Sequence, residues 1–323
     1  MPEPMPPTVI GVDIARQKFD AALLRANKYL HKKFDNTPQG FAAFLAWIMS
    51  FGDSDLWVCM EATGAYSIPL AKFLAEHGCP VSVVNPAKIH AFAKSELSRA
   101  KTDKADAKLI ARYCLRMKPD PWAPPPQSIC ELQALLCRVE HLLEMQQMER
   151  NRLDTADTSI IDSLDTVLNT LQQELAAIRH RIKNLIDQDP DLGQRRDLLE
   201  SIPGIGPAVS AYLLTLLSAH RGFANAKQAA TYAGLAPKIR ESGRWVGKTR
   251  IAKTGNPVMR KVLYMPALSA WRYNPAIREF CERLKANGKN GKAVACAAMR
   301  KLIHIAFAIL KSGKPFDPNF KLA

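Results

Sequence analysis

Five prolines fall within the eight residues Pro119-Asp-Pro-Trp-Ala-Pro-Pro-Pro126. Each ring removes an amide donor and crowds the turn before it, so neither a helix nor a sheet interior runs through this stretch. The chain therefore reads as two unlike parts joined by a linker. Upstream, short β-branched and apolar runs alternate with helical patterns. Strands are predicted at Thr8–Ile14, Lys28–Phe34, Leu56–Met60 and Pro80–Val84, and helices around Phe41–Phe51, Ser67–His77 and Asp103–Arg116. Strands separated by helices of this length predict an α/β layer, here residues 1–122.

Downstream the pattern is helical. Ser128-Ile-Cys-Glu131 has capping-box spacing and opens a helix to about Asn151. Ile161, Leu164, Leu168, Leu171, Leu175, Ile178, Ile182 and Leu185 then step by threes and fours. This is heptad spacing over about 37 Å of helix at ~1.5 Å per residue. Residues 127–192 are thus expected to form a helical hairpin or a coiled coil between chains, with an ordinary bundle helix as the plainer reading. Residues 193–323 form a third, mostly helical region, broken at Asn287-Gly-Lys-Asn-Gly291 before a last amphipathic helix, Ala293–Lys311.

Charge separates these regions further. Residues 1–120 carry 16 basic and 12 acidic side chains, residues 121–200 carry 8 and 14, and residues 201–323 carry 21 and 4. The last third, at +17, exceeds the net +15 of the whole chain. Such an imbalance favours a polyanion partner, nucleic acid first, over a merely solubilising surface. No run of residues is expected to cross a membrane, the opening residues have no signal-peptide pattern, and the seven cysteines include no CxxC pair. A cytoplasmic protein with reduced thiols is expected.

Three constellations carry chemistry. Asp13 lies inside the first apolar strand, Glu61 directly follows another, and Asp103 and Asp106 share one face of a helix start. Carboxylates brought together repel one another, and a divalent cation relieves that repulsion; all-oxygen ligands suit Mg²⁺ or Mn²⁺ and phosphodiester chemistry. Taken singly, Asp103 or Asp106 would serve as an N-terminal cap. Second, Ser201-Ile-Pro-Gly-Ile-Gly-Pro-Ala208 precedes the apolar helix Ala208–Leu217. Gly204 and Gly206 permit a tight turn whose helix-start amides face a phosphate, as in a helix-hairpin-helix, or simply an αα turn. Third, Ser242 lies among Arg240, Arg244, Lys248 and Arg250, with Lys253 and Arg260 beyond. Cations around a serine favour its alkoxide and the charge on an attacked phosphate, although most loop serines are turn residues.

Together, Gly11-Val-Asp-Ile-Ala15, Glu61-Ala-Thr-Gly64, Lys101-Thr-Asp-x-x-Asp106, Glu200-Ser-Ile-Pro-Gly-Ile-Gly206, Tyr232-Ala-Gly-Leu-x-Pro237, Glu241-Ser-Gly243, Lys253-Thr-Gly-Asn256, Arg260-x-x-Leu263-Tyr-Met-Pro266 and Leu310-Lys-Ser-Gly-x-Pro-Phe316 resemble the DEDD transposases of insertion-sequence family one-hundred-and-ten. The motifs follow the family's order over nearly the whole chain. The resemblance implies a RuvC-like RNase H domain (1–122) whose Asp13, Glu61, Asp103 and Asp106 bind Mg²⁺. It implies a coiled coil (127–192), and a basic transposase domain (193–323) with a helix-hairpin-helix and Ser242 as nucleophile. It also implies donor and target DNA, a structured bridge RNA that selects them by base pairing, and a homodimer that assembles into a tetramer. Gly204, Gly206, Arg240, Arg244, Lys248, Arg250, Lys253 and Arg260 are the expected nucleic-acid contacts. The alternative is a metal-only RuvC-like junction resolvase in which Ser242 is a bystander. A sugar kinase would need glycine-rich phosphate loops that residues 1–120 lack, and a non-catalytic binding protein leaves four placed carboxylates without a purpose.

Overall fold

The computed structural model describes residues 8–52, 56–97, 102–238, 241–242, 245–247, 250–252 and 254–318. It divides into two compact units, Met1–Pro124 and Pro125–Ala323.

The first unit is built on β1 (Thr8–Ile14), β2 (Lys18–Arg25), β3 (Lys28–Asp35), α1 (Pro38–Met49), β4 (Leu56–Glu61), α2 (Ile68–Glu76), β5 (Val81–Val84), α3 (Pro86–Ser95) and α4 (Asp103–Met117). The five strands form one mixed sheet in the order β3-β2-β1-β4-β5. β4 pairs in parallel with β1 and β5, while β2 is antiparallel to β1 and β3. The expected α/β layer is present.

Alternation along each strand sorts side chains between two faces. Ile10, Val12, Phe19, Leu23, Val58 and Met60 share a core with Phe41, Phe44, Leu70 and Leu74 of α1 and α2. Val9, Leu24, Cys59 and Val84 share the opposite core with Leu109, Ile110 and Cys114 of α4. Asp13, two residues beyond Gly11 and four beyond Val9, therefore belongs to the α4 face, as does Glu61, two beyond Cys59. The helix starts are capped by short polar side chains: the Thr37, Asn85 and Thr102 oxygens accept amide hydrogens of α1, α3 and α4.

The second unit contains α5 (Gln127–Leu153), α6 (Ile161–Gln188), α7 (Pro190–Glu200), α8 (Pro207–Leu216), α9 (Ala226–Tyr232), the two-residue strands β6 (Pro237–Lys238), β7 (Glu241–Ser242), β8 (Trp245–Val246) and β9 (Arg250–Ile251), then α10 (Pro257–Tyr273), α11 (Pro275–Ala286) and α12 (Gly291–Ser312). Its core is continuous from Ile129 to Ile309, so the long helices share it with the helices that follow. α5 and α6 pack as a hairpin. Leu171, Leu175, Ile178 and Ile182 of the heptad stripe are buried, and so are Ile129, Leu132, Leu136 and Val139 in the first half of α5. Ile161, Leu164 and Leu168 are only half-buried.

One buried carboxylate links three of these helices. Glu140 of α5 accepts hydrogen bonds from the Tyr212 hydroxyl of α8 at 2.7 Å and from Lys261 Nζ of α10 at 2.7 Å. α12 corrects one sequence expectation, because it is long and apolar enough to cross a membrane by length and composition. Val294, Ala298, Leu302, Ile305 and Ile309 lie in the core of this unit, which accounts for the apolar run.

Candidate active site

Gly11 determines how α4 meets the sheet. A Cβ at this position would lie 2.1 Å from the Ala107 carbonyl oxygen and 2.2 Å from the Ala111 amide nitrogen. Only glycine lets the helix backbone lie directly on β1. Ala107 follows Asp106, so this crossing brings the first turn of α4 to the strand that carries Asp13. Val12 pairs with Met60 in the parallel β1–β4 register, and one step further Asp13 and Glu61 lie at neighbouring strand ends. Thr102 caps α4 (its Oγ1 accepts from Ala105 N at 3.2 Å), so capping is not the role of Asp103 or Asp106. Both acidic residues occupy the first turn, where the helix dipole favours negative charge.

The carboxylates sense one another. Burial, and then the charges of Asp106, Asp103, Glu61 and Asp20, push the Asp13 pKa from 3.8 up to about 6. Glu61 is also raised, by burial and by Asp106, with His90 acting in the opposite direction. Among the described residues no three His, Cys, Asp or Glu side chains converge closely enough to ligate one ion. The four carboxylates are charge neighbours around the strand ends. Their donor chemistry fits a hard divalent cation, which would replace mutual repulsion by attraction.

Two nearby groups were missed by sequence reasoning. Asp20 pairs in register with Asp13 across the antiparallel β1–β2 ladder and is only 2% exposed. Its signal was available, since it lies in the apolar run Phe19–Leu24 much as Asp13 lies in its own. His90 is an exposed residue on α3, and no sequence pattern marks it.

In the second unit, Ser242 is exposed on β7 and pairs with Trp245 of β8, which is 59% exposed. The base of this hairpin is drawn together twice. β6 pairs with β9, and the Asn256 amide donates to the Tyr232 carbonyl at 2.9 Å. Gly255 has φ +108°, and a Cβ there would meet Gly234 N and Tyr232 O, both at 2.6 Å. Arg250 is exposed on β9, whereas Arg260 Nη1 is buried beside Gly234 with no hydrogen-bond partner among the described residues. Arg240, Arg244, Lys248 and Lys253 lie outside the described residues.

The glycine turn lies between α7 and α8. Gly204 has φ +104°, and a Cβ there would meet the Ala270 Cβ of α10 at 2.7 Å. Gly206 is the extended cap of α8 with open space around it, and Pro207 leaves one fewer amide at the helix start.

Comparison with known proteins places these residues in a wider setting. Residues 10–161 match a family model of the DEDD IS110 type described as transposase, and residues 196–282 match one described as transposase IS116/IS110/IS902 family. The pilin gene-inverting protein of Moraxella lacunata is 38% identical over 97% of this chain and 98% of its own length. That of Moraxella bovis is 37% identical with the same coverage. An insertion element IS110 protein of 43.6 kDa from Streptomyces coelicolor is 27% identical over 49% of this chain and 38% of its own. Among solved structures, T. thermophilus RuvC in complex with a Holliday junction substrate matches 36% of this chain and 99% of its own, with 17% identity and a TM-score of 0.28.

Proposed function

The chain belongs to the IS110 family of transposases and is an enzyme of DNA recombination; from that premise we propose that it cuts and rejoins DNA through a serine nucleophile assisted by a divalent metal ion. The observation that carries the reading is the crossing of α4 over Gly11, which brings the helix start bearing Asp103 and Asp106 toward the strand end of Asp13, near enough that their charges, with that of Glu61, raise its pKa. These four carboxylates would hold Mg²⁺ or Mn²⁺ in a RuvC-like RNase H domain. When bound, the metal supplies Lewis-acid stabilisation of charge on a phosphate.

Ser242 takes the nucleophilic role. Its Oγ gives up its proton to solvent and attacks the phosphorus, a Ser–O–P bond forms, and the broken P–O bond leaves its electron pair on the departing deoxyribose oxygen, which takes up a proton from solvent in turn. A deoxyribose hydroxyl of the strand to be joined then attacks the phosphoserine, restoring the P–O bond and releasing the serine. The bond energy is conserved, as rejoining without an external energy source requires. The exposure of Ser242 on a short hairpin supports access to a backbone phosphate. Two relatives spanning nearly this whole chain are named for inverting a pilin gene, which favours breakage with rejoining over simple hydrolysis.

The +17 of residues 201–323 fits a backbone-binding region. The helices flanking the glycine turn and the α5–α6 hairpin would serve as helix-hairpin-helix and coiled coil. A bridge RNA would select donor and target by base pairing, with the recombinase acting as a dimer and then a tetramer.

Covalency tests the reading. Denaturing gels of the wild-type protein with element-end DNA and Mg²⁺ should show a protein–DNA adduct that Ser242→Ala abolishes and that Asp13→Asn strongly reduces. Cleavage at wild-type rate by Ser242→Ala, with no adduct in either protein, would identify a metal-only nuclease.

A further inference from the structure

We propose that the open edge of the sheet holds a backbone phosphate of the DNA strand being processed, through His31 and Lys33 anchored on the buried Asp20. This inference rests on the reading of Asp13 and Glu61 as the reacting centre and extends that centre to a second phosphate.

The placement follows from register. Lys33 pairs with Asp20 and Asp20 pairs with Asp13; Glu61 lies one step past the Val12–Met60 pair. Lys33, Asp20, Asp13 and Glu61 therefore form one row across four neighbouring strands. With strands about 4.8 Å apart, Lys33 stands roughly 10 Å along the row from Asp13. β3 is the outermost strand, and its Lys28, Lys32 and Lys33 are exposed. Asp20 Oδ1 lies 2.6 Å from His31 Nε2 and 3.5 Å from Lys33 Nζ. The Lys33 side chain remains 53% exposed and that of His31 17%, so the lysine ammonium, held beside Asp20, still faces solvent where a ligand can reach it.

Protection of the edge explains part of this arrangement, because lysines on an outer strand discourage pairing with another chain. It does not explain a carboxylate buried beneath them. Asp20 stands directly opposite Asp13, and like charges in that position destabilise a sheet. A small neutral residue would relieve Asp13 and leave the lysines equally protective. The ion pairs of Asp20 with His31 and Lys33 offset part of that cost, and a charge kept opposite another of the same sign is expected where a site must be built. What Asp20 provides is a fixed position for two basic groups beside an acidic centre. Basic groups next to a phosphate-cleaving centre fit an adjacent phosphate of the same strand, which positions the strand without reading its sequence.

The test uses the full-length chain and fluorescein-labelled element-end DNA, with anisotropy measured from 50 to 200 mM salt. Lys33→Ala should weaken binding several-fold at 50 mM and lower the slope of log K against log salt by about 1, the loss of one phosphate contact. His31→Gln should weaken it less, and Lys33→Glu more; Lys33→Glu, at an exposed side chain, decides the matter if His31→Gln does not fold. Mn²⁺ affinity by calorimetry should stay within about twofold of wild type in Lys33→Ala, which separates phosphate holding from metal binding. Wild-type affinity and slope in Lys33→Ala and Lys33→Glu would overturn the proposal, as would a slope change seen with an RNA transcript and not with DNA. Failure of the metal reading is separately visible, as unchanged Mn²⁺ affinity in Asp13→Asn.

Discussion

In an unfolded chain Asp13 ionises near 4, as any aspartate does. Folding moves that ionisation to about 6 by burying the carboxyl among Asp106, Asp103, Glu61 and Asp20. Between these values the native state binds more protons than the unfolded state, so this group's contribution makes stability fall as pH rises from about 4 to 6. A metal ion binds the ionised form and reverses the trend. Metal binding below pH 6 must therefore release a proton. Mn²⁺ affinity measured by calorimetry should rise up to about tenfold per unit below pH 6 and level off above it. Asp13→Asn should lower the affinity and flatten the profile. An affinity that does not change between pH 5 and 7 would show that Asp13 does not hold the ion.

Elements depend on what crosses them. β1, β4, α4 and the two long helices were legible because each has a strong period or a plain apolar run. β2 was not, because its hairpin to β3 turns through Ala26 and Asn27, both at positive φ, without the glycine that normally marks such a turn. With β2 missed, the signal of Asp20 inside its apolar run went unread, and with α3 missed His90 had no signal at all, while the four named members of the site were legible. The convergence of Asp103 with Asp13 was legible only as a spacing; the contact that produces it, α4 backbone on Gly11, is tertiary. Glu140 is a similar case, an ordinary polar position on a long helix until Tyr212 and Lys261 arrive from 72 and 121 residues away. Both of its oxygens are occupied, and its side chain is 10% exposed. Glu140→Ala should destabilise the second unit by about 1.5–3 kcal/mol, the range for hydrogen bonds to a charged group. Lys261→Met should cost less, since that side chain is 58% exposed. Urea midpoints followed by far-UV circular dichroism, with the double mutant closing the cycle, would measure both. A cost in Glu140→Ala no larger than that of an exposed glutamate on α5 would remove Glu140 as a link among the three helices.

At the scale of the molecule, the carboxylate site and the basic surface fall in different units. The first unit holds two sheet-and-helix cores and the carboxylates, and the second holds one helical core and, in its residues 201–323, a net +17. The two kinds of ligand should therefore stabilise different parts of the chain. A ligand that binds only the native state adds about 2.7 kcal/mol at a hundred times its Kd, and the gain falls on the amides whose opening would destroy its site. Hydrogen exchange read by mass spectrometry should show Mg²⁺ slowing β1, β4 and α4 while leaving α12 unchanged. Duplex DNA without element sequence, at low salt, should slow amides of the second unit around the glycine turn and the start of α10, because counterion release needs cationic surface and no base contact. Raising the salt from 50 to 200 mM should erase the DNA effect and spare the Mg²⁺ effect, since partly buried carboxylates are screened far less than exposed lysines and arginines. Asp13→Asn should erase the Mg²⁺ effect alone. Protection by Mg²⁺ that spreads equally over both units, or that survives Asp13→Asn, would place the ion somewhere other than the end of the sheet.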